Sequence, residues 1–204
     1  MEAADWDQRY AGSERVWPAE PNQWVAGIAP ALSVGRALDM GAGEGRNAIW
    51  LAEQGWTVDA TDFSPVAVER MRAWAQDRSE HVEGRLRAWV ADATDAATPA
   101  GHTAYDLVVQ CYLHLVPQEW ARAVLAALER TRPGGSVLLI GHAGRNLTDG
   151  VGGPQQRNLL FDPDEVEAVV AELPVRVETC EIRQREVPGA DRPALDTVAL
   201  LTRR

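Results

Sequence analysis

The sequence predicts a single α/β domain built on a doubly wound, seven-stranded sheet with helices on both faces. Short β-branched or aliphatic segments alternate with longer Ala-rich segments that carry arginines and carboxylates, which is typical of consecutive βαβ units. Only the Pro/Gly loop 187–193 separates the last two strand segments. Because so short a loop cannot make a parallel crossover, we expect the final strand to run antiparallel to the other six. A chain of 204 residues has the length of one domain.

The alternating pattern places seven strands and four long helices in order along the chain. The predicted strands are Arg36–Met40, Thr57–Asp62, Leu86–Ala91, Tyr105–Gln110, Ser136–Gly141, Val175–Arg183 and Thr197–Thr202. The predicted helices are Gly45–Gln54, Pro65–Arg78, Pro117–Thr131 and Pro163–Leu173, with weaker helical segments before residue 31. Two of these helices begin with a capping residue followed by proline, Ser64-Pro65 and Asp162-Pro163, a typical helix start. The tryptophans at helical positions, Trp50, Trp74 and Trp120, are expected to pack in the core.

Composition excludes several classes of function. Apolar residues make up 46% of the chain and charged residues 25%, the balance of an ordinary globular protein. The net charge of −10 opposes nucleic-acid binding, and the longest uncharged apolar run, Ala123–Leu128, is too short to span a membrane. Lysine is absent, so Schiff-base chemistry is excluded. Two scattered cysteines predict neither a metal site nor a disulfide framework, and an N-terminus without an apolar stretch predicts a cytoplasmic protein.

A glycine-rich turn follows the first predicted strand and precedes the first long helix. Gly41, Gly43 and Gly45 are spaced two apart, which lets the backbone approach a ligand closely and leaves helix N–H groups for an anion. The spacing differs from the G-x-G-x-x-G pattern that binds a pyrophosphate. Asp39, two residues before the first glycine, would repel a pyrophosphate but suits an ammonium or sulfonium group. The turn therefore favours a cationic ligand over a dinucleotide.

Carboxylates also follow the second and third predicted strands, at Asp62 and Asp92. The carboxyl ends of parallel strands lie side by side along the crevice where open α/β sheets bind ligands. S-adenosylmethionine fits this row: Asp62 accepts the ribose hydroxyls, Asp92 the adenine amine, and Asp39 attracts the amino-acid ammonium, while Phe63 covers the base. Each acid is alternatively a turn former or helix cap, and Phe63 is alternatively a core residue.

The chain resembles the class I S-adenosylmethionine-dependent methyltransferases over nearly its whole length. The segments Gly45-Arg46-Asn47-Ala48, Trp6-Asp7-Gln8-Arg9-Tyr10 and Pro21-Asn22 are most similar to the branch with tellurite-resistance and thiopurine-type methyltransferases. The resemblance implies a Rossmann-like sheet with strand order 3-2-1-4-5-7-6 and an N-terminal helical cap, residues 1–30, over the cofactor. It places these residues at the cofactor: Trp6, Tyr10, Gly41, Ala42, Gly43, Asn47 and Ala93. Many relatives have cysteine in place of Ala42.

The methyl acceptor is expected beside the end of the fourth strand. Gln110 is a candidate backbone contact to the methionine part, and Tyr112 and His114 are the first polar side chains able to reach an acceptor. An imidazole with an ordinary pKa of about 6.5 is suited to removing the acceptor's proton. A structural hydrogen bond is an alternative role for His114. His142 is a second candidate for the same role. Cys111 is expected to be a small buried side chain.

Two loops are expected on the same side of the sheet. The segment 143–161 is a candidate substrate loop, since long irregular loops in compact domains are usually functional. Arginines in this loop and in the final hairpin are candidates for holding an anionic acceptor: Arg157, Arg183 and Arg192. The alternative is that these arginines are exposed and pair with nearby carboxylates.

The expected reaction is in-line displacement of the sulfonium methyl by an O, S, N or chalcogen nucleophile of a small molecule, because the chain has no large insertion for a polymer. Two alternatives remain open at this point. Asp62 would equally serve the ribose of a nicotinamide-dependent oxidoreductase. Methyl transfer also needs so few side chains that a non-catalytic S-adenosylmethionine-binding protein has the same pattern.

Overall fold

Seven strands form one mixed sheet in the computed structural model, which describes residues 3–12, 15–78, 82, 84–95 and 104–204. The strands are β1 (Arg36–Met40), β2 (Thr57–Asp62), β3 (Leu86–Val90), β4 (Tyr105–Cys111), β5 (Thr131–His142), β6 (Val175–Arg185) and β7 (Ala194–Arg203). Their order is β3-β2-β1-β4-β5-β7-β6, with β7 antiparallel to both neighbours and the pairs among β1 to β5 parallel. The predicted fold class and strand order are therefore confirmed.

The described helices are α1 (Ala3–Ala11), α2 (Gln23–Ile28), α3 (Arg46–Glu53), α4 (Pro65–Arg78), α5 (Pro117–Arg130), α6 (Asn146–Asp149) and α7 (Pro163–Val170), and short 3₁₀ turns cover Ala29–Ala31 and Arg157–Leu159. A capping box in which Asp162 and Glu165 each accept a backbone N–H of the other starts α7, as its Asp-Pro start predicts. The main difference from expectation is the start of β5. Strand pairing begins at Thr131, opposite Tyr105, with an irregularity before Ser136 pairs with Leu107.

Apolar side chains fill both faces of the sheet. One face packs against α3 and α4 around Ile49, Leu51 and Met71, and the other packs against α5 and α7 around Val124 and Val166. The inner strands are buried on both sides, which explains their near-continuous apolar sequence. The carboxyl ends of β1 to β4 remain uncovered by these two helical layers, so a ligand site is expected there.

In the part of the chain that the structure describes, no helix combines the length and the apolar character that crossing a membrane requires.

Candidate active site

A crevice with about 990 Å³ of empty volume, its open mouth included, lies at the carboxyl ends of β1 to β4. Most of the residues predicted from the sequence to bind a cofactor or acceptor contribute to its walls. These are Trp6, Tyr10, Gly41, Ala42, Gly43, Asn47, Asp62, Phe63, Asp92, Ala93, Tyr112 and His114. One crevice therefore collects side chains from α1, the glycine turn and the ends of three further strands.

The glycine turn has the backbone conformation that its sequence predicts. Gly41, Gly43 and Gly45 have φ values of +72°, +57° and +88°, a region that L-residues with a side chain seldom adopt. A Cβ at Gly43 would lie 3.0 Å from the Tyr10 hydroxyl and a Cβ at Gly41 would lie 2.7 Å from Leu113 Cδ1. The turn therefore has the shape and the bare backbone that close contact with a ligand requires.

Asp62 connects the glycine turn to the start of α4. Its Oδ2 accepts the Gly43 N–H at 2.8 Å and its Oδ1 accepts the Ser64 N–H at 2.9 Å. Burial raises the pKa of this carboxyl above its usual range, although both hydrogen bonds oppose the shift. Each carboxylate oxygen has a further lone pair, so the group can accept additional donors from the crevice.

Asp92 and Phe63 lie farther along the crevice, beside Trp74. Oδ1 of Asp92 accepts both the N–H and the hydroxyl of Thr94 at 2.8 Å, so this residue does form the turn that the alternative interpretation proposed. Trp74 packs against the hydrophobic core, as expected, and also lines the crevice. The guanidinium of Arg15 lies 3.7 Å from the centre of the Trp74 ring. This part of the crevice thus has aromatic surface for a flat group and a carboxylate beside it.

Asp39 lies behind the glycine turn, outside the crevice lining. The residue is 1% exposed, and neither carboxylate oxygen has a hydrogen-bond partner. Burial raises the pKa of Asp39 to about 7, despite the opposing effects of the Arg46 guanidinium and the nearby Ala48 backbone N–H. Buried carboxylates without partners are rare because the desolvation cost is uncompensated. A cationic group that approached this carboxyl would offset part of that cost.

Gln110 faces the opposite side of the sheet. Its side-chain amide donates to the Ala123 carbonyl oxygen at 2.8 Å, and the residue is absent from the crevice lining. Its side chain is therefore bonded to α5. A contact of Gln110 with the cofactor would involve its backbone, which is the role that the sequence analysis proposes.

The N-terminal helix covers the glycine turn. Trp6 and Tyr10 stack with their ring centres 5.7 Å apart, and Tyr10 is 3% exposed. Glu44, in the middle of the turn, accepts the backbone N–H groups of Val16 at 2.9 Å and Trp17 at 3.3 Å. Glu44 and Trp17 both line the crevice and were missed, because an acid between two glycines carries no recognised sequence signal.

The other wall comes from the segment after β4. Leu113, His114 and Leu115 line the crevice together with Cys111. Nε2 of His114 is buried without a hydrogen-bond partner, and burial, His142 and Arg9 lower the pKa of this imidazole to about 4. Burial raises the pKa of the Cys111 thiol to about 12. Both groups are therefore neutral near neutral pH.

The predicted arginine candidates lie outside the crevice lining and have other partners. Arg157 pairs with Asp162 and Glu165 at 2.9 Å each, Arg183 pairs with Glu181 at 2.8 Å, and Arg192 donates to the Thr148 carbonyl at 2.8 Å. These contacts correspond to the alternative interpretation, pairing at the surface. No residue of the segment 143–161 lines the crevice, and its assignment as a substrate loop stays a prediction.

The described residues contain no group of three or more His, Cys, Asp or Glu side chains placed to hold a metal ion.

Comparison with known proteins shows what the chain is similar to. Residues 37–135 match the family model described as a methyltransferase domain, whereas no curated protein matches the chain. A structure solved in work on the conversion of a disulfide bond into a thioacetal group during echinomycin biosynthesis is 20% identical, with a TM-score of 0.77 over 98% of this chain and 92% of that one.

Two further solved structures have the same fold. TehB from Haemophilus influenzae is 17% identical, with a TM-score of 0.71 over 100% of this chain and 68% of that chain. The glycopeptide N-methyltransferase MtfA, solved in complex with S-adenosylmethionine, is 16% identical, with a TM-score of 0.70 over 92% of this chain and 96% of that chain. At such identities these likenesses establish the fold. Residues 37–135 are therefore similar to the methyltransferase-domain family, and the chain has the fold of these solved structures.

Proposed function

We propose that this chain transfers the methyl group of S-adenosylmethionine to a small-molecule nucleophile by in-line displacement. The observation that carries the proposal is Asp39, whose two buried oxygens lack hydrogen-bond partners directly behind the glycine turn. A carboxylate so placed suits the ammonium of the cofactor's amino-acid part, directly or through water. Asp62 then receives the ribose hydroxyls and Asp92 the adenine amine, while Phe63 and Trp74 offer surfaces for the base.

The acceptor binds between the aromatic residues of α1 and the segment after β4. The walls there combine Trp6, Tyr10, Leu113 and Leu115 with the neutral imidazole of His114. An acceptor with an apolar or aromatic body and one protic nucleophile matches these walls. Phenols, thiols and nitrogen heterocycles have this chemistry, as do protonated chalcogen oxyacids.

The reaction balances without any further reactant. The nucleophile's lone pair forms a bond to the methyl carbon, the carbon–sulfur bond breaks, and its electron pair returns to sulfur, which leaves as the neutral thioether. The proton of the nucleophile passes to the unpartnered Nε2 of His114. The positive charge thus moves from sulfur to imidazole, and the charge in the crevice does not increase. Alignment of donor and acceptor supplies most of the acceleration, up to about 7–11 kcal/mol in favourable systems.

Calorimetric titration with S-adenosylhomocysteine, followed by a labelled-methyl assay over phenolic, thiol, heterocyclic and chalcogen acceptors, tests this function. We expect Asp62→Ala to weaken binding at least about tenfold, since a lost hydrogen bond to a charged group costs about 1.5–3 kcal/mol. Asp164→Ala, an exposed position in α7, is the matched control. Binding of NAD instead would favour an oxidoreductase. Tight binding of the thioether without turnover of any acceptor would indicate a non-catalytic protein.

A further inference from the structure

Another buried carboxylate, Asp196 of β7, lies outside the crevice and accepts hydrogen bonds from α2, from the segment after β4 and from β6. Its Oδ2 accepts Trp24 Nε1 at 2.9 Å, the Tyr112 hydroxyl at 2.8 Å and Arg185 Nε at 2.8 Å. Its Oδ1 lies 3.2 Å from His142 Nδ1, which is the contact that lowers the pKa of Asp196 most. Burial favours the neutral acid, but the surrounding donors outweigh it and lower the pKa of Asp196. Asp196 is therefore an anion at 0% exposure.

Tyr112, held by this anion, has an unusual backbone conformation. Its φ is +57°, and no other residue with a side chain has a positive φ in the described ranges. Such a conformation is strained and persists only where the surroundings hold it. Here the hydroxyl donates to Asp196 and accepts from Arg185 Nε at 2.9 Å, while the ring stacks on His142 with 4.8 Å between centres.

The turn at Tyr112 directs the next residues into the crevice. Leu113 comes to lie over Gly41, and His114 and Leu115 line the crevice wall. The His114 ring is bordered by Tyr112 at 6.2 Å and by His142 at 6.0 Å, with the two imidazole planes 9° apart. Nε2 of His114 has no hydrogen bond, so no bond at this atom fixes its ring, and the two rings beside it are part of its packing.

We infer that Asp196 is a positioning residue for the acceptor side of the site. By holding the Tyr112 hydroxyl and facing His142, it fixes the two rings that border His114 and so aims the unpartnered Nε2 at the acceptor. The inference rests on the proposed function in one respect: a loss of turnover can be measured only where an acceptor has been found. The orientation of His114 can be measured without one.

The far end of β4 offers a matched control. Tyr105 donates its hydroxyl to Oδ2 of the buried Asp59 at 2.7 Å, and Arg36 donates to the same oxygen at 3.0 Å. A tyrosine that donates to a buried aspartate which also accepts from an arginine thus recurs at this end of β4, with Asp59 on β2 and Arg36 on β1, but none of these three residues lines the crevice. If the Tyr112 hydroxyl had only a structural role, its loss would have the same effects as loss of the Tyr105 hydroxyl.

The kinetic test compares Tyr112→Phe and Asp196→Asn with Tyr105→Phe and Asp59→Asn. For the first pair we expect kcat to fall by up to about 100-fold, the cost of misplacing a reacting group by about 1 Å, while affinity for S-adenosylhomocysteine stays within about twofold. The double variant should be hardly slower than either single variant, because both changes remove the same interaction. Tyr105→Phe should lower the melting temperature comparably and leave kcat unchanged.

The acceptor-independent test is imidazole ¹⁵N NMR of the S-adenosylhomocysteine complex, with His114 signals assigned from His114→Gln. Tyr112→Phe keeps the ring and removes only the hydroxyl, so it decides the matter even if Asp196→Asn does not fold. We expect it to shift the His114 resonances, and Tyr105→Phe to leave them in place. His114 resonances unmoved by Tyr112→Phe would overturn the positioning role. Shifted resonances without turnover of any acceptor would support it while contradicting the proposed function.

Discussion

Asp39 and His114 lie on the two sides of the proposed reaction centre, and burial favours the neutral form of each. It raises the pKa of Asp39 to about 7 and lowers that of His114 to about 4. Near neutral pH and before a ligand binds, His114 is therefore neutral and Asp39 is only partly ionised. S-adenosylmethionine brings an ammonium and a sulfonium, which favour the Asp39 carboxylate and leave His114 neutral and able to accept a proton.

Asp39→Asn should stabilise the unliganded protein and weaken cofactor binding. The folded-state pKa of Asp39 lies above its unfolded value, so the stability that this group contributes is complete below about pH 4 and is lost as pH rises through about pH 7. Relative to wild type, the variant's free energy of unfolding should therefore be higher at about pH 8 than at about pH 5. Urea unfolding at both pH values measures this, with the exposed Asp77→Asn as control. An identical pH dependence in variant and wild type would contradict the assignment.

His114→Gln should slow methylation of protonated acceptors by about 10²–10⁴-fold, the usual contribution of a positioned acid or base. Acceptors that ionise on their own below neutral pH should lose little, because they have no proton to transfer. In wild type the lowered pKa of His114 keeps the imidazole unprotonated, so kcat should hold from about pH 7 down to about pH 5. Profiles of kcat against pH for a phenol and an acidic thiol provide the measurement. A loss equal for both acceptors would assign His114 a structural role.

Among the elements, the glycine turn and the N-terminal helix are joined through one side chain. Glu44 accepts two backbone N–H groups of the segment after α1 and pairs with Arg70 of α4 at 2.9 Å. These contacts link the segment after α1, which covers the crevice, to the glycine turn and to α4. We therefore expect Glu44 to hold this cover against the crevice.

Glu44→Ala should accelerate release of S-adenosylhomocysteine about tenfold, since a partly buried backbone donor left without its acceptor costs on the order of 1 kcal/mol and Glu44 serves two such donors. Stopped-flow tryptophan fluorescence can follow release, because Trp6 and Trp17 line the crevice. Glu53→Ala, which removes only the outer ion pair with Arg78 at 3.8 Å, is the control. Equal release rates in the two variants would show that the cover does not depend on Glu44.

At the scale of the whole molecule, the sheet was predictable because its inner strands are buried on both faces and are therefore apolar in sequence. Short polar or glycine-containing segments mark where these strands end. The start of β5 was not predictable, because Pro133-Gly134-Gly135 has the composition of a turn, yet Thr131 already pairs with Tyr105. Asp62 was predictable from its place at a strand end. Asp196 was missed because its contact with Tyr112 spans 84 positions and depends on how β7 is inserted beside β5.

Ligand binding should order one edge of the molecule and leave the other unchanged. In the proposed complex the cofactor contacts the glycine turn, the cover formed by α1 and the segment 112–115, whereas the edge strand β6 lies at the end of the sheet beyond β7. Hydrogen exchange with S-adenosylhomocysteine at about 100 times its Kd, which adds about 2.7 kcal/mol of stability, should therefore slow exchange most in α1, in residues 41–45 and in 112–115. Exposed amides of β6, which already exchange by local opening, should change least. Asp62→Ala at the same ligand concentration should show little of this protection. Protection centred on the β6–β7 hairpin would move the binding site to the opposite end of the sheet.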